Sequence, residues 1–159
     1  MSSPANTQSD KPMEVENDPR LSRGVKEFLK VLNSGDGPPL ESLPPLEARE
    51  VLVGAQASVQ VDLSGIEESE KTISADGYTI KLDIVRPEGV KGKLPVFVFI
   101  HGGGWVLGDY PTHKRMVRDL VVLTGFAGVF INYTRTPDAK YPQAINEIYA
   151  ATKWVAEHG

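Results

Sequence analysis

The chain has 159 residues, 40% apolar and 24% charged, the balance of one soluble globular domain with enough apolar content for a core. Seventeen Lys and Arg against 21 Asp and Glu leave a formal charge of −4 with no basic stripe, which argues against nucleic acid and anionic membrane as main partners. The absence of cysteine excludes disulfides, thiolate catalysis and Cys-based metal sites and fits a cytoplasmic location, and the longest apolar run, Val96 to Ile100, falls far short of the roughly 20 residues that cross a bilayer.

Residues 1–17 are polar, contain Pro4 and Pro12, and read as a mobile tail. Leu21, Val25, Phe28, Leu29 and Leu32 then recur at helical spacing, with Asp18 as the expected cap before Pro19. A second helix is expected from Pro45 to about Ala57, so residues 18–60 form a helical cap ahead of any strand. The period changes to two near Glu68. Ala75-Asp76-Gly77 reads as the turn of a β-hairpin in which Tyr78, Ile80, Leu82 and Ile84 face inward and Asp83 outward. Leu94 to Ile100 is apolar on both faces, as expected of a parallel strand covered on each side. A helix from Pro111 closed by Gly125, a strand over Ala127 to Asn132, and a last helix from Pro142 complete an α/β order over residues 61–159.

His101-Gly102-Gly103-Gly104-Trp105 stands at the C-terminal end of that apolar strand, where open α/β sheets place their ligand sites. Three glycines strip the loop of side chains and leave main-chain N–H groups that can converge on a small anion. Acyl transfer needs such donors, because the carbonyl oxygen becomes negative only in the tetrahedral transition state. A bare glycine triplet would serve equally well as a plain turn. A phosphate loop is disfavoured, since neither GxxxxGK[ST] nor GxGxxG is matched.

HGGGW is followed by Asn132-Tyr133-Thr134-Arg135-Thr136-Pro137-Asp138 and then Tyr141-Pro142-Gln143-Ala144. These paired blocks resemble those of the hormone-sensitive-lipase family of carboxylesterases, HGGG[FW] with [DN]YRLAPE and [FY]PAA. Here Arg135 falls one place later than the family's arginine, while Pro137 keeps its place. The resemblance covers residues 68–159 and implies the N-terminal half of an α/β-hydrolase fold, a mixed, mostly parallel sheet preceded by cap helices. It further implies that the N–H groups of Gly103 and Gly104 form part of an oxyanion hole, that Gly102 and Trp105 contact substrate, and that His101 supports the loop instead of acting as a base. His113 is expected at the surface or as a cap, Asp109 and Asp138 as solvated or capping carboxylates. No His, Asp or Glu grouping has metal-ligand spacing, so neither metal nor other cofactor is expected.

No serine lies in a G-x-S-x-G frame. On the family's chain order the nucleophile, acid and catalytic histidine would follow the last helix, so the chain is expected to be one piece of a longer polypeptide, inactive alone and docked on its C-terminal remainder. The function expected of the whole is hydrolysis of small-acyl to medium-chain esters through an acyl-enzyme. The alternative is a non-catalytic protein binding a small molecule on the same scaffold. A homodimer is left open.

Overall fold

The computed structural model describes residues 15–35 and 37–159, so most of the expected tail lies outside the described residues. Two compact units divide at Pro39 and Leu40. In the first, a short 3-10 turn, Val15–Asn17, precedes helix α1, Arg23–Asn33. The cap of α1 is Ser22, not Asp18: its hydroxyl accepts from the Val25 N–H at 3.4 Å. Asp18 is taken up by a turn in which it accepts from the Arg20 N–H (2.9 Å) and guanidinium (2.6 Å). The Arg20 guanidinium holds that carboxyl down at about 2. The apolar stripe read from the sequence is present on α1, with Val25, Phe28 and Leu32 exposed.

The second unit opens with a 3-10 turn, Leu40–Ser42, and helix α2, Pro45–Ala57, which has Pro45 in its first turn. Strands β1, Ile66–Ala75, and β2, Tyr78–Pro87, form the expected hairpin, with Ala75 opposite Tyr78. Asp76 and Gly77 both have positive φ (48° and 84°), the mirror-image two-residue turn that matches strand twist. After them come β3, Val96–Phe99, helix α3, Tyr110–Thr124, β4, Ala127–Asn132, and helix α4, Gln143–His158. Gly125 ends α3 in the left-handed conformation (φ 71°), as expected from its place in the sequence.

The sheet order is β1-β2-β4-β3: β4 runs antiparallel to β2 and parallel to β3. Each face carries one helix. Ile73, Ile80, Leu82, Val129 and Ile131 pack with Ala150, Ala151 and Val155 of α4, while Val85 and Phe130 pack with Tyr110, Val117 and Val121 of α3. β3 is the end strand among the described residues. No helix of the described residues is long and apolar enough to cross a membrane.

Because α3 covers the second face, strand β2 has buried residues on both sides and the expectation for Asp83 fails. Asp83 is buried opposite Phe130, where its carboxylate accepts from Asn132 Nδ2 at 2.6 Å. Burial pushes its pKa above the ordinary 3.8, against the Asn132 hydrogen bond. An acid with a raised folded pKa destabilises the fold above that pKa, and the penalty vanishes as pH falls below the unfolded value. Asp83→Asn keeps an oxygen for Asn132 without the charge. It should raise the thermal midpoint at pH 7, with the advantage over the parent gone by about pH 3.

Candidate functional site

The glycine loop leaves the end of β3, and nearly all its carbonyls are held from behind. Tyr133, just past β4, donates its hydroxyl to the His101 carbonyl at 2.8 Å. The His101 ring is buried, stacked on Tyr133 (4.2 Å, 8°) and Phe130 (5.3 Å, 1°), and its Nδ1 lies 2.8 Å from the Gly102 carbonyl, to which it donates. The Gly103 carbonyl accepts from the N–H groups of Val106 (3.1 Å) and Leu107 (2.8 Å). Trp105 accepts from the Thr136 N–H at 2.8 Å, Val106 from Arg49 Nε at 2.8 Å, and Gly108 from the Arg135 guanidinium.

In a trans peptide the C=O and the following N–H point in opposite directions. Pinning the carbonyls of Gly102 and Gly103 therefore turns the N–H groups of Gly103 and Gly104 the other way. Among the described residues neither N–H donates a hydrogen bond. Both glycines line a cavity of about 420 Å³ with Leu40, Leu43, Pro45, Ala48, Val106 and Leu107, and Gly104 also borders an apolar cavity of about 190 Å³ with Trp105, Tyr141 and Ile145. Two adjacent amides without a protein acceptor can receive one negatively charged oxygen.

Gly103 has φ 118°, and a Cβ there would fall 2.2 Å from the Leu107 carbonyl oxygen. The turn that aims the amides thus closes only on glycine. Trp105 also has positive φ (65°); its ring is half-exposed and meets Tyr133 edge-on at 5.4 Å. Gly102 has no such restriction, and its part is the carbonyl held by His101.

The His101 ring contacts the loop through the Gly102 carbonyl. Burial lowers its pKa below 6.5, with His113 and Arg135 adding to the shift and the Gly102 carbonyl opposing it. His113 is half-buried: its ring packs on Phe99 (5.9 Å) and His101 (5.4 Å), and its Nδ1 is 3.1 Å from the carbonyl of the capping residue Asp109. The reason is the α3 face, which turns the first helical turn onto the sheet end. Asp109 caps α3 through the Thr112 N–H (3.0 Å), with Thr112 Oγ1 returning to the Asp109 N–H (2.9 Å).

Four residues at this site have no local signal in the sequence. Arg49 of α2 is buried and reaches Val106, Thr136 and Asp138, residues 57, 87 and 89 positions away. Glu147 of α4 is buried and accepts from Thr134 N–H (2.6 Å), Thr134 Oγ1 (3.0 Å) and Gln143 Nε2 (2.8 Å), fixing the segment that holds Trp105. Tyr133 and Arg135 belong to the tyrosine block, but their targets, His101 and Gly108, emerge only in three dimensions. Among the described residues no group of His, Asp and Glu could hold a metal ion.

Residues 97–159 match a family model described as the alpha/beta hydrolase fold. A thermostable esterase from Pseudomonas putida, solved as a crystal structure, is 60% identical and superposes with a TM-score of 0.87 over 89% of this chain and 44% of its own. The chain has the α/β-hydrolase fold. An esterase from Rhizomucor miehei is 38% identical with a TM-score of 0.80 over 88% of this chain and 43% of its own. Carboxylesterase NlhH of Mycobacterium tuberculosis is 38% identical over 56% of this chain and 28% of that protein. The chain thus spans less than half the length of these relatives. The four-stranded mixed sheet is that of the N-terminal half of the fold.

Two measurements check the loop. Gly103→Ala should destabilise the fold by about 1–3 kcal/mol in urea unfolding, since the added methyl must push the 103–107 turn apart. A base with a lowered folded pKa gives stability that is present above its unfolded pKa and lost as pH falls. Stability should therefore decline as pH drops through 6.5, and His101→Phe, which keeps the ring stack but cannot titrate, should flatten that decline.

Proposed function

We propose that this chain carries the oxyanion-stabilising loop and cap of a serine carboxylesterase of the hormone-sensitive-lipase type, acting on small-acyl to medium-chain esters. The observation that carries the reading is the pair of carbonyls, Gly102 and Gly103, held by partners of their own, which turns the next two N–H groups away from those partners in residues that line a cavity. A serine attacking an ester carbonyl drives negative charge onto its oxygen. The Gly103 and Gly104 amides receive that charge in place, each such donor contributing ~2.7–4 kcal/mol to transition-state stabilisation. The tetrahedral species then expels the alcohol, an acyl-serine remains, and water releases the acid.

The 159 residues contain no G-x-S-x-G frame, so the reading assigns the serine, the acid and the catalytic histidine to sequence beyond this chain. A strand pairing with the outer edge of β3 would bring the nucleophile beside the glycine loop, at the C-terminal end of the sheet. The cavity beneath Leu40–Ala48 gives the substrate a wall from the cap segment, and Trp105 walls the smaller apolar space beside Gly104.

The polypeptide that carries this chain should hydrolyse p-nitrophenyl acetate and butyrate and lose that activity on stoichiometric phosphonylation by an organophosphate. Absence of both turnover and covalent labelling would reject the enzyme and favour a small-molecule-binding role on the same scaffold.

A further inference from the structure

We propose that Arg49 of α2 is a positioning residue for the glycine loop, setting the direction of the Gly104 amide through the peptides behind it. The catalytic meaning of this rests on the carboxylesterase reading above. Arg49 and Ala48 are the buried residues of α2, and a guanidinium taken out of water must have its donors matched. Three acceptors meet it: the Val106 carbonyl (Nε, 2.8 Å), the Thr136 carbonyl (2.7 Å) and Asp138 Oδ2 (3.2 Å).

Two of these acceptors belong to segments that hold the loop. The Val106–Leu107 peptide carries both the carbonyl that Arg49 grips and the Leu107 N–H, which donates to the Gly103 carbonyl at 2.8 Å. That Gly103 carbonyl in turn lies across the peptide plane from the Gly104 N–H. By the second route Arg49 holds the Thr136 carbonyl, and the Thr136 N–H donates to the Trp105 carbonyl at 2.8 Å. One planar cation thus locks both sides of the turn from a helix that contributes no atom to the amide pair. A lysine at this place is a point charge on a flexible stem and cannot span two diverging carbonyls as a fixed fork does. Asp138, largely exposed, balances the charge without touching the loop.

The test uses the intact polypeptide that carries this chain, with p-nitrophenyl acetate as probe. Arg49→Met should lower kcat about 10- to 100-fold and leave KM within about threefold, because the lost feature is amide direction in the transition state. Asp138→Asn should change kcat by less than about threefold, since it removes only the outer partner. In parallel, hydrogen exchange should quicken at the amides of residues 103–107 in Arg49→Met and stay unchanged in β2 and β4. A well-folded Arg49→Met with unchanged kcat and unchanged exchange, or a loss confined to KM, overturns the proposal. Should Arg49→Met not fold, Arg49→Lys carries the same two measurements, with unchanged kcat and exchange again decisive against it. If the unaltered polypeptide shows no esterase activity, the carboxylesterase reading falls, and exchange at residues 103–107 still decides whether Arg49 holds the loop.

Discussion

A peptide plane cannot be aimed at one end without aiming the other, and the glycine loop depends on this constraint. Main-chain amides have no side chain to steer them, and glycine, which this turn requires at position 103, is the residue with most freedom to lose. Their direction is fixed instead by what holds the carbonyls: a hydroxyl from Tyr133, an imidazole from His101, and guanidinium groups from Arg49 and Arg135. These come from α2, from the end of β3 and from the segment after β4, so the loop is held by the fold as a whole. The sheet supplies the frame, and the helices on its two faces hold the frame still.

The electrostatics follow the same arrangement. Two arginines stand behind the loop, and their positive charge favours anionic character on its open side. Burial of the His101 ring lowers its pKa and so favours the neutral form. A neutral ring is also the form in which one nitrogen donates to Gly102 while the stack on Tyr133 and Phe130 remains uncharged.

Much of this was legible along the chain because it is written in short-range chemistry. Hydrophobic period, Asp76-Gly77 and Gly125 placed the hairpin, β4 and the end of α3 closely, and the glycine triplet after an apolar strand located the loop. What escaped was set by tertiary neighbours. Alternation marked Asp83 as outward because one face of the hairpin was assumed wet, whereas α3 lies over it. Asp18 and Ser22 are equally good caps by type, and the Arg20 side chain decided between them. Arg49 looked like an ordinary charge on a cap helix, since its acceptors lie 57 and 87 residues downstream.

A site assembled from main-chain amides has an unusual relation to genetic variation. Replacing a side chain such as Leu40, Leu43 or Ile145 on the cavity walls removes none of the main-chain amides, so the walls can be reshaped while the turn persists. The vulnerable positions are those behind the turn, where Arg49, His101 and Tyr133 hold main-chain carbonyls. Divergence in what the cavity admits can therefore proceed on one side of the loop, while purifying selection acts on the other.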